Sequence, residues 1–350
     1  MTQTMNKVKV GIIGATGYAG VELVRLLLRH PGAEIVAVSS VSFEGKPLAE
    51  VYPNLREITA LTCETAADVV ERAEVVFTAV PHGLSQTIAA ECVEKGKKLI
   101  DLGADFRLDD AEAYTKWYGC EVQFPELHEQ AVYGLPELFR TEIAGTSIIG
   151  NPGCYPTSVA LGLAPVLREG WVETQGIVVD SKSGTTGAGR GLSQTTHYPD
   201  CNEAFSAYKV AGHRHTPEIE QTLSVVAGKP ATITFVPHLL PVNRGILSTI
   251  YARLKQDVTE EQVRQLYETA YQNETFVRVQ PKGIEVNIRN VKCSNYCDIQ
   301  MHVDTHTQLL IVTSVIDNMV KGAAGQAIQN MNLLFGLEET AGLDMIPPAF

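Results

Sequence analysis

A chain of 350 residues exceeds the usual size of one compact core, so two domains, or one domain split by an insertion, are expected. Its 45% hydrophobic and 19% charged residues are typical of a globular protein and argue against a disordered tail. The formal net charge of -12 argues against non-specific binding to nucleic acid or to an anionic membrane, because both attract basic surfaces.

The cysteines and the start of the chain bear on location. Seven cysteines, an odd number, suit a reducing compartment better than a disulfide framework. Cys293 and Cys297 are four residues apart with no second pair, so no metal site is expected. The opening segment lacks the apolar run of a signal peptide, and the longest apolar stretches are of strand length or interrupted by charge. We therefore expect a cytoplasmic chain with no membrane partner.

The first 150 residues alternate strand and helix patterns. A β-branched run at 7–13 is followed by a glycine turn at 14–20, and apolar residues then recur at helical spacing up to a proline. Three further strands and one helix are predicted, at residues 34–38, 75–80 and 98–102 and at residues 84–97. This alternation predicts parallel βαβ units, which form an open, doubly wound α/β sheet of the Rossmann type.

The pattern changes after Gly150. A helix is predicted at 154–167, and strands then dominate, at residues 176–181, 231–236, 246–254, 276–280 and 309–316. Two helices interrupt them, one N-capped by Thr216 and one with capping-box spacing at Thr259 and Gln262. This half therefore predicts a second, α+β domain built on a largely antiparallel sheet.

The last predicted helix decides the domain boundaries. Asp317 can cap it, and its small residues permit close packing on the first domain. We therefore expect a first domain formed by residues 1–152 plus 318–350. Residues 153–317 are expected to form the second domain.

The glycine turn predicts a dinucleotide site. Gly14, Gly17 and Gly20 stand between a strand and a helix, where glycines permit a tight turn and let backbone N–H groups meet a pyrophosphate. The spacing departs by one residue from G-x-G-x-x-G, and a lone glycine motif is weak evidence, but its place after the first strand supports the prediction. Cofactor contacts are expected at Gly14, Thr16, Gly17, Tyr18 and Ala19.

The end of the second strand indicates which dinucleotide. NAD sites usually place an acidic residue there to bind the ribose hydroxyls, whereas this chain has Ser39 and Ser40. Neutral hydroxyls can donate to a 2′-phosphate, and Lys46 lies close by in sequence, so NADP(H) is favoured. The alternative is that the two serines simply open a loop.

A cysteine turn lies at the start of the second half. The segment 150–158, GNPGCYPTS, places Cys154 at the beginning of a helix, where unpaired N–H groups and the helix dipole stabilise a thiolate. Position alone leaves a nucleophile and a small buried residue as equal alternatives. A nucleophile also needs an acid or base partner, and His213 and His215, before a predicted helix, are the candidates; two solvated loop histidines are the alternative.

Several motifs follow one another along nearly the whole chain. They are GATGYAG at 14–20, ADFR at 104–107, NPGCYPT at 151–157, GTTGAGR at 184–190, HRHTPE at 213–218, PHL at 237–239 and NRG at 243–245. In this order they closely resemble the N-acetyl-gamma-glutamyl-phosphate reductase family. NPGCYPT and HRHTPE are specific to that family and its near relatives, whereas the glycine turn alone is not.

The resemblance implies a reaction. The family uses NADPH to reduce an N-acetyl-glutamyl 5-phosphate to the 5-semialdehyde, in arginine biosynthesis, through a thioester on a cysteine that corresponds to Cys154. A histidine of the HRH segment is expected to assist as acid or base, with a weak preference for His213 over His215. The substrate and phosphate are small molecules, and a homo-oligomer, dimer or tetramer, is expected.

The resemblance also implies binding residues. Arg107 corresponds to an anion-binding arginine, with a surface ion pair as the alternative. The glycine-rich loop suggests Ser183 and Gly184 as substrate contacts and Gly187 as a cofactor contact, with a plain flexible loop as the alternative. Asn318 is expected on the nicotinamide side, with ordinary helix packing as its alternative.

Three rival functions remain open on sequence. A sister reductase that acts on an acyl phosphate one carbon longer, in lysine biosynthesis, shares all the chemistry. Aspartate-semialdehyde dehydrogenase is permitted by the fold, but its histidine usually follows a Pro-Val-containing strand, and no histidine follows Pro241 and Val242 here. A non-catalytic dinucleotide-binding protein would leave Cys154 buried and inert.

Overall fold

The structure is a computed structural model that describes residues 6–350; the first five residues of the opening segment, which contribute to the expectation about a signal peptide, lie outside the described residues. The helices are α1 Tyr18–Leu27, α2 Leu48–Val51, α3 Ala66–Arg72, α4 Ser85–Glu94, α5 Ala111–Tyr118, α6 Pro125–Gln130, α7 Pro136–Gly145, α8 Cys154–Arg168, α9 Tyr198–Cys201, α10 His215–Ala227, α11 Glu260–Tyr271 and α12 Gly325–Leu334. The strands are β1 Val8–Ile13, β2 Ala33–Ser39, β3 Cys63–Glu64, β4 Val75–Thr78, β5 Lys98–Asp101, β6 Val132–Tyr133, β7 Ile148–Gly150, β8 Ile177–Gly184, β9 Ser206–Ala207, β10 Ile233–Leu240, β11 Ile246–Arg253, β12 Val277–Val279, β13 Cys297–Asp304 and β14 Leu309–Ile316.

The chain divides into two compact units. The first contains the chain up to Pro152 together with Ala323–Asp344, and the second contains Gly153–Gly322 together with Met345–Phe350. The sequence expectation placed the return to the first domain at residue 318. The observed return is later because Asn318 is hydrogen-bonded to Gly245 and Thr186, both of which belong to the second unit.

The first unit contains a seven-stranded sheet in the order β3-β2-β1-β4-β5-β7-β6, and every pair in it is parallel. Its central strands are buried, and all four residues of β4 are inaccessible to solvent. The strand order changes direction between β1 and β4, and ligands of such sheets bind beyond the carboxyl ends of the strands at that point. The predicted doubly wound Rossmann-type sheet is confirmed.

The second unit contains a mixed sheet in the order β12-β13-β14-β11-β8-β10-β9. Four of its pairs are antiparallel and two, β8 with β10 and β12 with β13, are parallel. Helix α8 packs on β11 and β14, and α10 and α11 flank it. Burial alternates along β8, so one face of the sheet lies under the helices and the other is half-exposed. The predicted α+β architecture on a largely antiparallel sheet is confirmed.

Two local predictions differ from the structure. Thr216 was expected to cap α10, but the helix begins one residue earlier, at His215, and the Nδ1 atom of His213 accepts the hydrogen bond from the His215 N–H. The prediction of Thr216 as N-cap was therefore wrong, because a residue nearer the start supplies the acceptor. Before α12 the chain forms a π-helical turn, Val320–Ala324, that no sequence pattern indicated.

Residues 6–350 were also considered for membrane-spanning helices and for clusters of metal-ligating side chains. In this part of the chain no helix is long and apolar enough to cross a membrane. Across the same residues no group of three or more His, Cys, Asp or Glu side chains converges as a metal site would require. Cys297 lies buried in β13, with its Sγ 3.4 Å from Ser314 Oγ.

Candidate active site

The glycine turn follows β1 in the first unit. Gly14 has φ +88° and its α-carbon faces the carbonyl oxygen of Ala79, while a side chain on Gly20 would collide with the carbonyl oxygen of Gly14. Both positions therefore admit only glycine. The N–H groups of Gly14 and Ala15 donate to the Ser39 carbonyl oxygen at 3.1 and 2.9 Å, which fixes the turn against the end of β2.

The start of α1 is suited to an anionic group. The helix begins at Tyr18, and its N-cap, Gly17, has no side chain to cap the N–H groups of the first turn. Tyr18 is exposed, and Ala19 follows it in the same turn. A helix N-terminus of this kind binds phosphate through its backbone N–H groups and its dipole. The turn therefore fits the pyrophosphate of a dinucleotide.

A hydroxyl pair lies beside this turn. The Oγ atom of Ser40, which follows β2, is 2.6 Å from Thr16 Oγ1, and the Tyr52 hydroxyl donates to the Thr16 carbonyl oxygen. Ser39 and Ser40 are each 5% exposed. No carboxylate stands at the end of β2, where it would repel a 2′-phosphate. Neutral hydroxyl donors at this position fit NADP(H) better than NAD(H).

Arg107 is buried within the first unit rather than extended at its surface. Its Nε donates to the Asn151 carbonyl oxygen at 2.7 Å, and its Nη2 donates to the Leu102 carbonyl oxygen at 2.8 Å. The guanidinium is therefore held in place on the backbone that leads to the cysteine turn. Asp110, three residues after Arg107, caps α5 by accepting hydrogen bonds from the N–H groups of Glu112 and Ala113.

The cysteine turn opens the second unit. Cys154 is the first residue of α8, its side chain is partly exposed, and its N-cap is Gly153. The Gly153 N–H donates to Glu218 Oε1 at 2.7 Å, and Glu218 is fully buried. Cys92, by comparison, lies buried in α4, and burial raises the pKa of its thiol to about 12, which keeps it protonated.

His215 lies directly against this turn. A Cβ added to Gly153 would be 2.5 Å from His215 Nε2 and 2.8 Å from its Cε1, so only glycine leaves room for the imidazole. The same Nε2 lies 4.0 Å from Glu218 Oε2. One buried carboxylate thus faces both the backbone before Cys154 and the imidazole beside it.

His213 has different surroundings. Its ring lies edge-on to Tyr155, Tyr208 and Phe235 at centroid distances of 5.2 to 5.6 Å, and it is 8% exposed. Its Nδ1 accepts the His215 N–H at 3.1 Å, so that nitrogen carries no proton. Burial, and next the neighbouring His215, lower the pKa of His213 to about 3. His213 is thus a neutral cap on α10 rather than a group poised to exchange protons near neutral pH.

The pH dependence of the free energy of unfolding should reflect the burial of His213. As the pH falls through 6.5 the unfolded chain binds a proton at His213, whereas the folded chain does not until about 3, so the free energy of unfolding falls with pH across that window. We expect His213→Asn, whose Oδ1 can accept the same N–H, to lose less stability than wild type between about pH 7 and about pH 4, by on the order of 2 kcal/mol. Urea unfolding at each pH measures this, with the exposed His306→Asn as control. Equal acid losses in His213→Asn and wild type would contradict it.

The glycine-rich loop leaves the end of β8. Ser183 is buried and its Oγ donates to the Gly184 carbonyl oxygen, and Gly184 packs so closely on Asn243 that a Cβ there would lie 2.6 Å from the Asn243 carbonyl oxygen. Asn318 accepts from the Gly245 N–H at 2.7 Å and donates to Thr186 Oγ1 at 3.0 Å. The loop is therefore fastened to β11 and to the chain that follows β14.

Gly187 joins these residues. A Cβ on it would lie 3.5 Å from Ser183 Oγ and 3.6 Å from Asn318 Nδ2. Ser183, Gly187 and Asn318 therefore converge in the second unit.

Sequence reasoning missed two residues of this site. Glu218 lies in the HRHTPE motif but received no role, although a carboxylate three residues after His215 on a helix faces the same way and could have been found by that spacing. Tyr208 is distant from Cys154 in sequence, and its hydroxyl lies 3.0 Å from that of Tyr155. Only the fold brings this pair together, so no local signal identifies it.

Comparison with known proteins first defines the class. A family model described as the semialdehyde dehydrogenase NAD binding domain matches residues 9–146, and one described as the semialdehyde dehydrogenase dimerisation domain matches residues 154–318. The aspartate semialdehyde dehydrogenase II from Vibrio cholerae, complexed with ASA, has a similar fold: TM-score 0.74 and 17% identity, over 95% of this chain and 99% of that chain. The enzyme from Candida albicans with NADP gives a TM-score of 0.69 at 16% identity, over 94% and 99%. The fold and both domains are those of a semialdehyde dehydrogenase.

Sequence relatives then define the family. The N-acetyl-gamma-glutamyl-phosphate reductase of Clostridium beijerinckii is 54% identical over 98% of this chain and 100% of its own length. Those of Symbiobacterium thermophilum and Brachyspira hyodysenteriae are 54% and 52% identical, over 98% of this chain and 99% and 100% of their own lengths. The chain belongs to the N-acetyl-gamma-glutamyl-phosphate reductase family, so the resemblance seen in its motifs is confirmed.

Proposed function

We propose that the chain catalyses the NADPH-dependent reductive dephosphorylation of N-acetyl-L-glutamyl 5-phosphate to N-acetyl-L-glutamate 5-semialdehyde, a step of arginine biosynthesis. The observation that carries this proposal is the arrangement of Cys154 at a helix start, with His215 and the buried Glu218 packed against the preceding Gly153. Identity of 52% to 54% with members of the reductase family supports the assignment of N-acetyl-L-glutamyl 5-phosphate as the substrate.

Cys154 is the nucleophile. Its thiolate attacks the acyl carbonyl, the C–O bond to phosphate breaks, and phosphate leaves with the bonding pair, which yields a thioester. NADPH, when bound, supplies the hydride that reduces this thioester, after which the aldehyde departs and the thiolate is restored. The N-terminus of α8 stabilises the thiolate before attack and after release.

His215 is the acid or base and Glu218 is its positioning residue. The imidazole lies against the backbone before Cys154, and Glu218 accepts the N–H of that backbone and faces the ring at 4.0 Å. Although the sequence leaned to His213, its acceptor bond to the His215 N–H and its low pKa favour a structural role. His213 thereby holds the start of α10 in place.

Each binding residue of the sequence motifs has a proposed role. Arg107 binds an anionic group of the substrate, and Ser183 and Gly184 lie beside the substrate. Gly187 and Asn318 lie on the nicotinamide side of the cofactor. The turn residues Gly14, Thr16, Gly17, Tyr18 and Ala19 hold the pyrophosphate, and Ser39 and Ser40 favour the 2′-phosphate.

The reverse reaction tests substrate and cofactor together. We expect phosphate-dependent reduction of NADP⁺ with N-acetyl-glutamate 5-semialdehyde, at a kcat/KM at least about tenfold above that for the homologue one carbon longer, since one methylene is worth 1–3 kcal/mol in a fitted pocket. Aspartate semialdehyde should react more poorly still. NAD⁺ is the matched cofactor control, because it lacks only the 2′-phosphate. Preference for the longer aldehyde would favour the lysine-pathway rival, and preference for NAD⁺ would overturn the roles of Ser39 and Ser40.

The family model and the second sheet support an assembly. One face of that sheet lies under helices, whereas the other exposes alternate side chains of β8 and β11 in part, among them Val178, Leu247 and Tyr251. We infer a homo-oligomer, dimer or tetramer, that the 153–317 domain forms across this face. We also infer a cytoplasmic location, with neither nucleic acid nor a membrane as partner. Sedimentation velocity measures the mass in solution, and a monomer would contradict the assembly.

A further inference from the structure

The residue behind the nucleophile is a glycine in a π-helical turn. After β14 ends at Ile316, the Gly322 N–H donates to the Asp317 carbonyl oxygen at 3.0 Å, five residues back, within the π-helix Val320–Ala324. A π-helical turn is rare and less favourable than an α-helical one, and such turns occur frequently at functional sites. A local packing contact or a functional constraint is therefore expected to hold the chain in this turn.

Gly322 packs directly against Cys154. A Cβ added to Gly322 would lie 2.7 Å from the Cβ and 3.2 Å from the Cα of Cys154, and 3.3 Å from Ile316 Cδ1. Real Cβ atoms essentially never approach another heavy atom within 3.0 Å. The backbone of Gly322 does not adopt the left-handed φ that disfavours other residues, so steric contact alone excludes a side chain.

Cys154 cannot move away from such a contact at low cost. Cys154 is the first residue of α8, so its Cβ can move only with the backbone of the helix. The carbonyl oxygen of the preceding Gly153 accepts both the N–H and the hydroxyl of Thr157. One turn further, Ser158 Oγ lies 2.7 Å from Ser248 Oγ of β11. The start of the helix is therefore anchored on both sides of the nucleophile.

The π-helical turn is equally fixed. Asp317 is fully buried, and its carboxylate accepts the N–H groups of Met319 and Cys293 at 2.8 and 2.6 Å. The same carboxylate pairs with Arg244 at 3.4 Å. A methyl group on Gly322 would thus meet two rigid partners, and the softest response is a shift of the thiol.

We propose that Gly322 is a positioning residue for the nucleophile: the missing side chain lets the backbone of the π-helical turn seat directly behind Cys154 and sets the line along which its sulfur faces the substrate. The inference rests on the proposed role of Cys154. It acts through geometry alone, because Gly322 carries no group that could bind substrate or exchange a proton.

The test compares Gly322→Ala with Gly162→Ala. Gly162 lies eight residues along α8 from Cys154, about 12 Å away, and a Cβ there would meet Ile250 Cδ1 at 3.0 Å, so it crowds the same helix away from the site. We expect kcat of Gly322→Ala to fall about 10- to 100-fold while KM for the semialdehyde and Kd for NADP⁺ change less than about twofold, since a misplacement of about 1 Å at a reacting centre costs up to 100-fold. The rate of Cys154 alkylation by iodoacetamide should change as well. Gly162→Ala should keep wild-type kcat and alkylation rate.

A second variant separates the contact with the nucleophile from the contact with the strand. Ile316→Val removes the Cδ1 atom and relieves only the 3.3 Å contact on the strand side, whereas the 2.7 Å contact with Cys154 Cβ stays, so Gly322→Ala combined with Ile316→Val should keep the low kcat. Recovery of kcat in the double variant, or a wild-type kcat in Gly322→Ala, would overturn the inference. An active Cys154→Ala would instead overturn the proposed function itself, so the two failures are distinguishable.

Discussion

Replacement of Cys154 by alanine is expected to reduce kcat for phosphate-dependent NADP⁺ reduction by about 10⁴-fold or more, because Cys154 is the proposed thioester-forming nucleophile. Cys154 is partly exposed at the first position of α8, so the loss of its sulfur removes little packing and the free energy of unfolding should change by less than about 1 kcal/mol. Kd for NADP⁺, measured by fluorescence, should be unchanged, which separates a chemical defect from an unfolded one.

Two controls sharpen this result. Cys201→Ala removes another partly exposed thiol, whose Sγ contacts only backbone oxygens, and should retain activity. Intact-mass measurement after exposure to the acyl phosphate without NADPH should show one acyl adduct in wild type and none in Cys154→Ala. An adduct of the same stoichiometry in Cys154→Ala, or turnover within tenfold of wild type, would remove Cys154 from the mechanism.

The sequence predicted the place of Cys154 well because the signal is local. Glycine and proline around the residue define a turn and a helix start, and α8 begins at that residue. The parallel sheet was equally accessible, since strands β1, β2, β4 and β5 each form a short apolar run between helices. Local patterns therefore sufficed for these four strands and for the start of α8.

Features that depend on pairing over long distances were not predicted. Strand β8 continues to Gly184, three residues beyond the predicted end, although Lys182, Ser183 and Gly184 suggest a loop, because β10 pairs with it through Leu240. Strand β13 was missed entirely, since its burial depends on its place between β12, at the edge of the sheet, and β14. The sequence does not encode such partners in any short window.

The histidine pair shows the same limit at the site. His213 and His215 are two residues apart with similar local sequence, yet one is surrounded by aromatic rings and the other lies against Gly153. Tyr155 belongs to α8, and Phe235 belongs to β10, so tertiary packing gives the two imidazoles their different surroundings. Local sequence does not separate the two, and the preference for His213 stays a prediction.

Mutation of the pair should reveal this difference. We expect His215→Asn to lower kcat/KM by about 10²- to 10⁴-fold, the usual contribution of a positioned acid or base, whereas His213→Asn should lose less than about tenfold. The asparagine at 213 can still accept the His215 N–H and hold the start of α10. The asparagine at 215 cannot transfer a proton.

The pH dependence distinguishes catalysis from a structural defect. The limb of the kcat/KM profile that reports the imidazole should disappear in His215→Asn and persist in His213→Asn, because only the former removes the titrating group. Glu218→Gln should lower kcat/KM and keep that limb, since it replaces the carboxylate that accepts the Gly153 N–H and lies 4.0 Å from the ring but leaves the imidazole in place. If His213→Asn instead lost the limb and fell as far as His215→Asn, proton transfer would belong to His213, and the packing of aromatic rings around it would have to open during turnover.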